Sequence, residues 1–346
     1  MDAFVEQETA LMHPEAGALT LSDDIIAGAR RILDEGTPEN TKLAYRKDIA
    51  YARAWGALRG FGDSLPYSVE AMMAFIVDHV QGLPQEVDRA LVVNGIKRDF
   101  GPPAISTLKR KMASISTAHA LANMDNPCAD RRVRDLLSRA RRAAVRNGWA
   151  PKKKSAAALE ILDRMLDTCD GGSLHDVRDR AMLLFAWSSG GRRRSEVANA
   201  TIDRLEAHGE EFVYRLGATK TMQDGDTGAV PVAGRAAIAL REWLTLLDRD
   251  HGYIFIGIMP NGRFLETRMH PDTVLQVVKR RAKLAGYDAS RFGGHSLRSG
   301  FMTEAGLQGL DIREAMDMST HRTMQVAAGY YEAGSGLKNK AARLAG

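Results

Sequence analysis

The chain has 346 residues, 45% of them hydrophobic and 26% charged, and carries a formal net charge of +5. That is ordinary globular material, long enough for two domains with their own cores. No apolar run approaches membrane-spanning length and the acidic start (Asp2, Glu6, Glu8) does not read as a signal peptide, so no membrane association and a bacterial-type cytoplasmic location are expected. Cys128 and Cys169 show neither metal-ligand spacing nor a disulfide framework and read as buried thiols.

The charge is unevenly placed. Residues 1–36 hold eight acids against Arg30 and Arg31, whereas residues 101–154 hold thirteen Lys/Arg against Asp125, Asp130 and Asp135. A basic block in a helical region reads either as a polyanion-binding face or as a solvated surface, and nucleic acid is the favoured reading.

Residues 1–20 lack apolar periodicity and contain Pro14 and Gly17, which predicts a mobile acidic tail. Ser22 is placed to cap a first helix with Ile25, Ile26, Ala29, Ile32 and Leu33 on one face, ended by Gly36. Thr37-Pro38-Glu39 opens a second, with Tyr45, Ile49, Ala52 and Trp55 at helical spacing and Lys42, Arg46 and Lys47 off that stripe. A third helix is expected from Tyr67 to Val80 with Val69, Met72, Met73, Ile76 and Val77 inward. A fourth, Ala104 to about Asn123, turns Ile105, Leu108, Met112, Ile115 and Ala118 inward and leaves Ser106, Thr107, Lys109, Arg110 and Lys111 outside. A fifth, Ala129 to Arg146, buries Val133, Leu136, Leu137 and Ala140 and exposes Arg131, Arg132, Arg134, Arg139 and Arg142. Residues 21–148 therefore read as a basic helical bundle. Residues 149–156, with Pro151, Lys152, Lys153 and Lys154, read as an interdomain linker or a basic surface loop.

Residues 157–346 form the second domain. Helices are expected at Ala157 to Asp167 and Val177 to Trp187, followed by Gly190-Gly191, after which the Arg192-Arg193-Arg194 segment begins another. Three arginines beside a helix N-terminus oppose its dipole unless anions neutralise them, and Arg193 stands three residues before Glu196, a spacing that permits an ion pair. Phe212 to Leu216 and Ala229 to Val232 read as two strands joined by a loop that carries Lys220. Helices at Arg235 to Leu247 and Pro271 to Ala285 flank a short buried strand, Tyr253 to Ile256. Three residues apart on a helix, His295 and Arg298 present an imidazole beside a guanidinium, a pairing suited to phosphate, with Ser296 as a possible cap. Helices at Asp311 to Met318 and Arg322 to Tyr331 follow, and a short one at 337–344 is too small to stand alone.

Arg193 in Gly-x-Arg-x-Ser-Glu, Lys220, His295-x-x-Arg298, and His321 followed nine residues on by Tyr330 resemble, in that order, the tyrosine recombinase (phage integrase) family, and within it the Cre type. Arg192 and Arg194 depart from the apolar neighbours usual in that family. The resemblance implies a mainly α fold with a small antiparallel sheet, in which a helical core-binding domain and a catalytic domain close on DNA as a C-shaped clamp. It implies site-specific recombination through a covalent 3′-phosphotyrosyl intermediate and a Holliday junction, without metal, ATP or other cofactor. Tyr330 would be the nucleophile, Lys220 the acid at the leaving 5′ oxygen, Arg193 and Arg298 the phosphate clamp, His295 a base or donor, and His321 a phosphate ligand, with Glu196 in support. The partners implied are double-stranded DNA with inverted-repeat half-sites and further copies of the chain, a dimer on one site and a homotetramer on two, with helix 337–344 exchanged between subunits. DNA contacts are expected from Thr41, Lys42, Arg46, Lys47, Ser106, Thr107, Lys109, Arg110, Lys111, Arg132, Arg139, Lys152, Lys153 and Lys154. The spacing favours Tyr330, and adjacent Tyr331 stays open, since neighbours on a helix point about 100° apart. A serine hydrolase is excluded because Arg298 stands where a nucleophile elbow needs glycine. A catalytically idle DNA-binding protein of the same fold and a type IB topoisomerase are the remaining alternatives.

Overall fold

The computed structural model describes residues 23–146, 154–217, 228–321 and 323–335. Its backbone contacts divide the chain into two compact units, residues 1–152 and 153–346.

The first unit contains helices α1 (Asp23–Gly36), α2 (Glu39–Arg59), α3 (Val69–Gln81), α4 (Gln85–Val93), α5 (Ile105–Leu121) and α6 (Arg131–Arg146). Pro38, which lacks a backbone donor, begins α2, and Gly60 ends it in the left-handed conformation that glycine adopts without steric penalty. Ser68 caps α3 by accepting the Ala71 N–H at 3.1 Å. The core joins Ile49, Ala52 and Trp55 of α2 to Met72, Phe75 and Ile76 of α3 and to Leu108, Met112 and Ile115 of α5. Trp55 is fully buried, stacked on Phe61, and its indole N–H reaches Asp78 at 2.9 Å.

The inward face of α3 is Ala71, Met72, Phe75, Ile76 and His79, while Val77 is 40% exposed, because the buried stripe must also carry the polar Asp78 and His79. Helix α4 lies outside the sequence expectation: Val87 and Leu91, one turn apart, face the core beside Asp88, which is buried and paired with Lys97. Ile25 and Ile32 of α1 are exposed instead of covered. Lys42 is buried and paired with Glu39 at 3.1 Å, so it does not face outward. Lys111 is likewise buried, 3.5 Å from Asp48 with its ammonium 3.4 Å from the centre of the Tyr51 ring, and burial pushes its pKa down to about 8.

His79 is fully buried. The Phe75 carbonyl can only accept, so Nδ1 carries the proton and Nε2 accepts from the Tyr51 hydroxyl at 2.7 Å. Burial pushes its pKa from 6.5 down to about 4. The unfolded chain therefore takes up this proton near pH 6.5 and the folded one only near pH 4, so stability falls as the pH drops through that window, by about 3 kcal/mol for this group. Urea unfolding of wild type and His79→Gln at pH 6.5 and 4 is expected to show the smaller acid loss in the variant.

The second unit contains α7 (Leu159–Asp167), α8 (Leu174–Ser188), α9 (Arg194–Ala198), β1 (Leu205–His208), β2 (Glu211–Arg215), β3 (Ala229–Val232), α10 (Arg235–Leu247), β4 (Ile256–Ile258), β5 (Phe264–Arg268), α11 (Pro271–Leu284), α12 (Ser296–Gln308), α13 (Ile312–Ser319) and α14 (Met324–Ser335). The central helix α8 starts in a capping box between Ser173 and Asp176 and is buried almost all round. On β2 and β3, Phe212, Tyr214, Val230 and Val232 alternate inward, and β1, absent from the sequence expectation, completes an antiparallel sheet of order β1-β2-β3. The strand expected at Tyr253 to Ile256 lies further on, as β4, paired with the unanticipated β5. Asp179, wholly buried, accepts from Arg178 and Arg281 at 2.8 Å each, and Arg281 also holds Asp176 at 2.7 Å, tying α11 to α8.

Packing places the last helix. A Cβ added to Gly306 of α12 would lie 2.2 Å from the Tyr331 carbonyl oxygen, so glycine lets α14 approach, and the Thr303 hydroxyl donates to the Tyr330 carbonyl at 3.3 Å. Met302, Ala305, Ala315 and Ala327 fill the space between α12, α13 and α14. The expected helix at 337–344 lies outside the described residues.

Candidate active site

Three segments meet around Arg298. The Gly190-Gly191 turn is left-handed at both residues; a Cβ on Gly190 would meet the Met318 carbonyl at 2.0 Å, and one on Gly191 the Arg298 Cα at 2.2 Å. Glycines are required here because the backbone of the turn touches both the end of α13 and the first turn of α12. The adjacent segment anchors the same helix: the Ala157 N–H donates to the Ser296 carbonyl at 2.8 Å, and a Cβ on Gly300 would clash with the Ala157 carbonyl at 1.9 Å.

The three successive arginines diverge, although Arg192 and Arg193 both face Glu196. Arg192 is buried and donates to the Met318 carbonyl; Arg193 donates to Glu196 at 2.6 Å; Arg194 pairs with Asp272. The second Glu196 oxygen accepts the Arg193 backbone N–H at 2.9 Å, so the carboxylate fixes both ends of that residue. Burial works against the Glu196 charge, but Arg192 and the bonds from Arg193 outweigh it and hold the carboxyl below its ordinary range.

Arg298 is 5% exposed. Its Nε donates to His321 Nε2 at 3.2 Å and its Nη1 to the Gly191 carbonyl at 3.3 Å, while Nη2 is buried without a partner. Burial and then Arg193 push its pKa down to about 10, against the opposing pull of Glu196 and, more weakly, of Tyr330. A buried N–H left unpaired costs about 1–3 kcal/mol, which a phosphate oxygen would offset. His295 occupies the residue before α12, with one edge open to solvent; partial burial, then the charges of Arg298, Arg193 and Arg194, lower its pKa, which favours the neutral imidazole. Ser296 does not cap the helix: it is the first helical residue, and its hydroxyl instead accepts the Gly293 N–H at 2.9 Å.

On α14 the two tyrosines diverge. Tyr331 is half-buried and its hydroxyl donates to the Leu310 carbonyl, whereas Tyr330 is 37% exposed. Arg193, Glu196, His295, Arg298, His321 and Tyr330 thus belong to one unit and one locality; Lys220 lies outside the described residues, as do Lys152 and Lys153.

The expected DNA contacts fare unevenly. Thr41, Arg46, Lys47, Ser106, Lys109 and Arg139 are exposed and Thr107 is half-buried, whereas Lys42 and Lys111 are buried. Arg110, though exposed, is paired with the buried Asp48, and Arg132 is tied to Asp130 at 3.1 Å. Lys154 donates to the Ser290 carbonyl at 2.7 Å. A basic cleft of about 570 Å³ lined by Lys109, Arg141, Arg142 and Arg146 was not singled out as a unit; the helical spacing of those arginines was its only signal.

Guanidiniums and imidazoles gather here around buried donors without hydrogen-bond partners among the described residues, Nη2 of Arg298 and Nε and Nη1 of Arg192, an arrangement able to take up an anion. The model of the phage integrase family matches residues 159–335, slightly more than half of the chain, and the chain belongs to that family, the tyrosine recombinases, enzymes of DNA strand transfer in site-specific recombination. It is 28% identical over 322 residues to an integrase/recombinase xerD homolog of Selenomonas ruminantium, covering 90% of this chain and 87% of that one. To tyrosine recombinase XerD of Pseudomonas putida it is 25% identical over 308 residues, covering 86% and 88%. Among solved structures it resembles the Tn1549 transposon integrase in complex with circular intermediate DNA (TM-score 0.57, 14% identity, 90% of this chain and 97% of that one). A lambda integrase dimer bound to a COC' core site follows the same fold (TM-score 0.53, 14% identity, 91% and 96%). Among the described residues no helix is long and apolar enough to cross a membrane.

Gly191→Ala forces a Cβ into Arg298 in a left-handed backbone. The displaced guanidinium is expected to lower the strand-cleavage rate about 100-fold, measured on a nicked duplex.

Proposed function

We propose that the chain cuts and rejoins double-stranded DNA at a specific site through a 3′-phosphotyrosyl intermediate. The single observation that carries this reading is the buried, unpartnered Nη2 of Arg298 in the same locality as the exposed Tyr330. The Tyr330 oxygen attacks the phosphorus, the bond to the 5′ oxygen breaks, and that oxygen takes a proton from Lys220. Arg193 and Arg298 hold the non-bridging oxygens as charge gathers on them, and neutral His295 removes the phenolic proton or donates to the phosphate. The covalent link conserves the phosphodiester energy, so attack by a second strand's 5′ hydroxyl rejoins DNA through a Holliday junction without ATP.

In this reading residues 21–148 are a core-binding domain that meets DNA through its basic faces, residues 149–156 the linker, and residues 157–346 the catalytic domain, together clamping the duplex. A dimer occupies inverted-repeat half-sites and a tetramer two such sites, as the Cre-type resemblance implies. A groove of about 380 Å³ lined by Leu159, Trp187, Phe301 and Leu310, with Glu304 at hand and Asp163 paired to Arg235 at 2.6 Å, suits an apolar helix bearing cations. The 337–344 segment of a neighbouring subunit, with Leu337, Leu344, Lys338, Lys340 and Arg343, has that character.

Covalent trapping tests this reading. A nicked duplex carrying the target, incubated with protein in a chelator and without ATP, is expected to yield an adduct that survives denaturant. A DNA-binding protein that is catalytically idle gives none; a topoisomerase gives an adduct on unpaired, unrelated sites and relaxes plasmids.

A further inference from the structure

The end of α13 is a turn in which Thr320 adopts a left-handed backbone and the His321 N–H returns to the Met316 carbonyl at 3.1 Å. This brings Ser319, fully buried, against His321: the hydroxyl lies 2.6 Å from Nδ1 and donates in turn to the Met316 carbonyl at 3.3 Å. Arginine has donors only, so His321 Nε2, facing Arg298 Nε at 3.2 Å, must be the bare acceptor. The ring's one proton is then on Nδ1, and Ser319 accepts it.

We propose that Ser319 is a positioning residue: it locks His321 in the Nδ1–H form so that Nε2 accepts from Arg298 and aims that guanidinium. In the DNA-free protein both ring nitrogens of His321 are therefore engaged, Nε2 by Arg298 and Nδ1 by Ser319. Its contribution passes through Arg298, whose Nε and Nη1 are fixed while Nη2 is kept for the anion. Burial, then the charges of Arg298, Arg193 and Arg192 and the nearby His295, push the His321 pKa down to about 4, so the ring stays neutral at pH 7. Arg192 supports the same turn by donating to the Met318 carbonyl. The proposal rests on the recombinase reading for its consequence in catalysis, but not for the tautomer itself.

The test uses the full chain labelled with ¹⁵N-histidine at pH 7.5, His321 being assigned by its loss in His321→Gln. Wild type is expected to show a protonated Nδ1 and an unprotonated Nε2. Ser319→Ala is expected to move the ring toward the Nε2–H form, and Ser319→Thr, which keeps the hydroxyl, to retain the wild-type pattern. Adduct formation at saturating nicked duplex should fall about 10- to 100-fold in Ser319→Ala with DNA affinity unchanged, and recover in Ser319→Thr. An Nε2–H ring in wild type, or a tautomer indifferent to Ser319→Ala, overturns the proposal. Because the spectra need no DNA, a wild type that never forms an adduct instead overturns the recombinase reading.

Discussion

Tyr330→Phe is expected to abolish the covalent DNA adduct, and Tyr331→Phe to leave it. The two side chains are adjacent on α14 and leave it about 100° apart, so both cannot reach one phosphorus. Tyr331 is committed elsewhere: its hydroxyl donates to the Leu310 carbonyl and its ring packs against the cluster of Met302, Ala305, Ala315 and Ala327. Removing that hydroxyl is expected to lower stability by about 1 kcal/mol and to change cleavage little. Tyr330 is 37% exposed and near enough to Arg298 to favour its charge, which leaves its phenol open to an incoming phosphate. The readout is the fraction of nicked duplex shifted in a denaturing gel.

Arg298→Met is expected to lower cleavage by about 10²- to 10³-fold, the usual loss when a donor aimed at developing charge is removed. The same variant should match or exceed wild type in thermal stability. Arg192, Arg193 and Arg298 crowd together against one carboxylate, Glu196, and Arg298 is held at an unfavourable charge, its pKa pushed down to about 10 by burial and then Arg193. A Met of similar length keeps the packing, removes an unpaired buried donor and relieves like-charge repulsion. Conversely, inorganic sulfate should raise the wild-type Tm more than that of the variant. Arg298→Lys is not expected to rescue cleavage, because one ammonium cannot face His321, the Gly191 carbonyl and an anion in the fixed geometry of a guanidinium.

Much of this was legible in the residues. The stripes Ile49-Ala52-Trp55 and Leu108-Met112-Ile115 specify inward faces because a helix repeats every 3.6 residues, and they are buried as the spacing predicts. Arg193 and Glu196 meet because three residues on a helix span one turn. What escaped depends on segments far apart in the chain. Asp48 drawing Lys111 inward, Asp78 serving both Trp55 and Arg59, and Leu310 engaging Tyr331 leave no periodic mark. The strands β1 and β5 were missed for a related reason: short edge strands, half-exposed and charged, alternate too weakly to stand out. Ser296 carried a plausible cap signal, but the chain entered the helix one residue earlier, and the hydroxyl turned back to Gly293.

Protease digestion of the trapped complex, followed by mass spectrometry of the peptide that bears nucleotide, tests the central claim most directly. The expected peptide carries a 3′-linked nucleotide on Tyr330, with a free 5′ hydroxyl on the released strand. Nucleotide on Tyr331 or on a serine, or a link through a 5′ phosphate, contradicts the account.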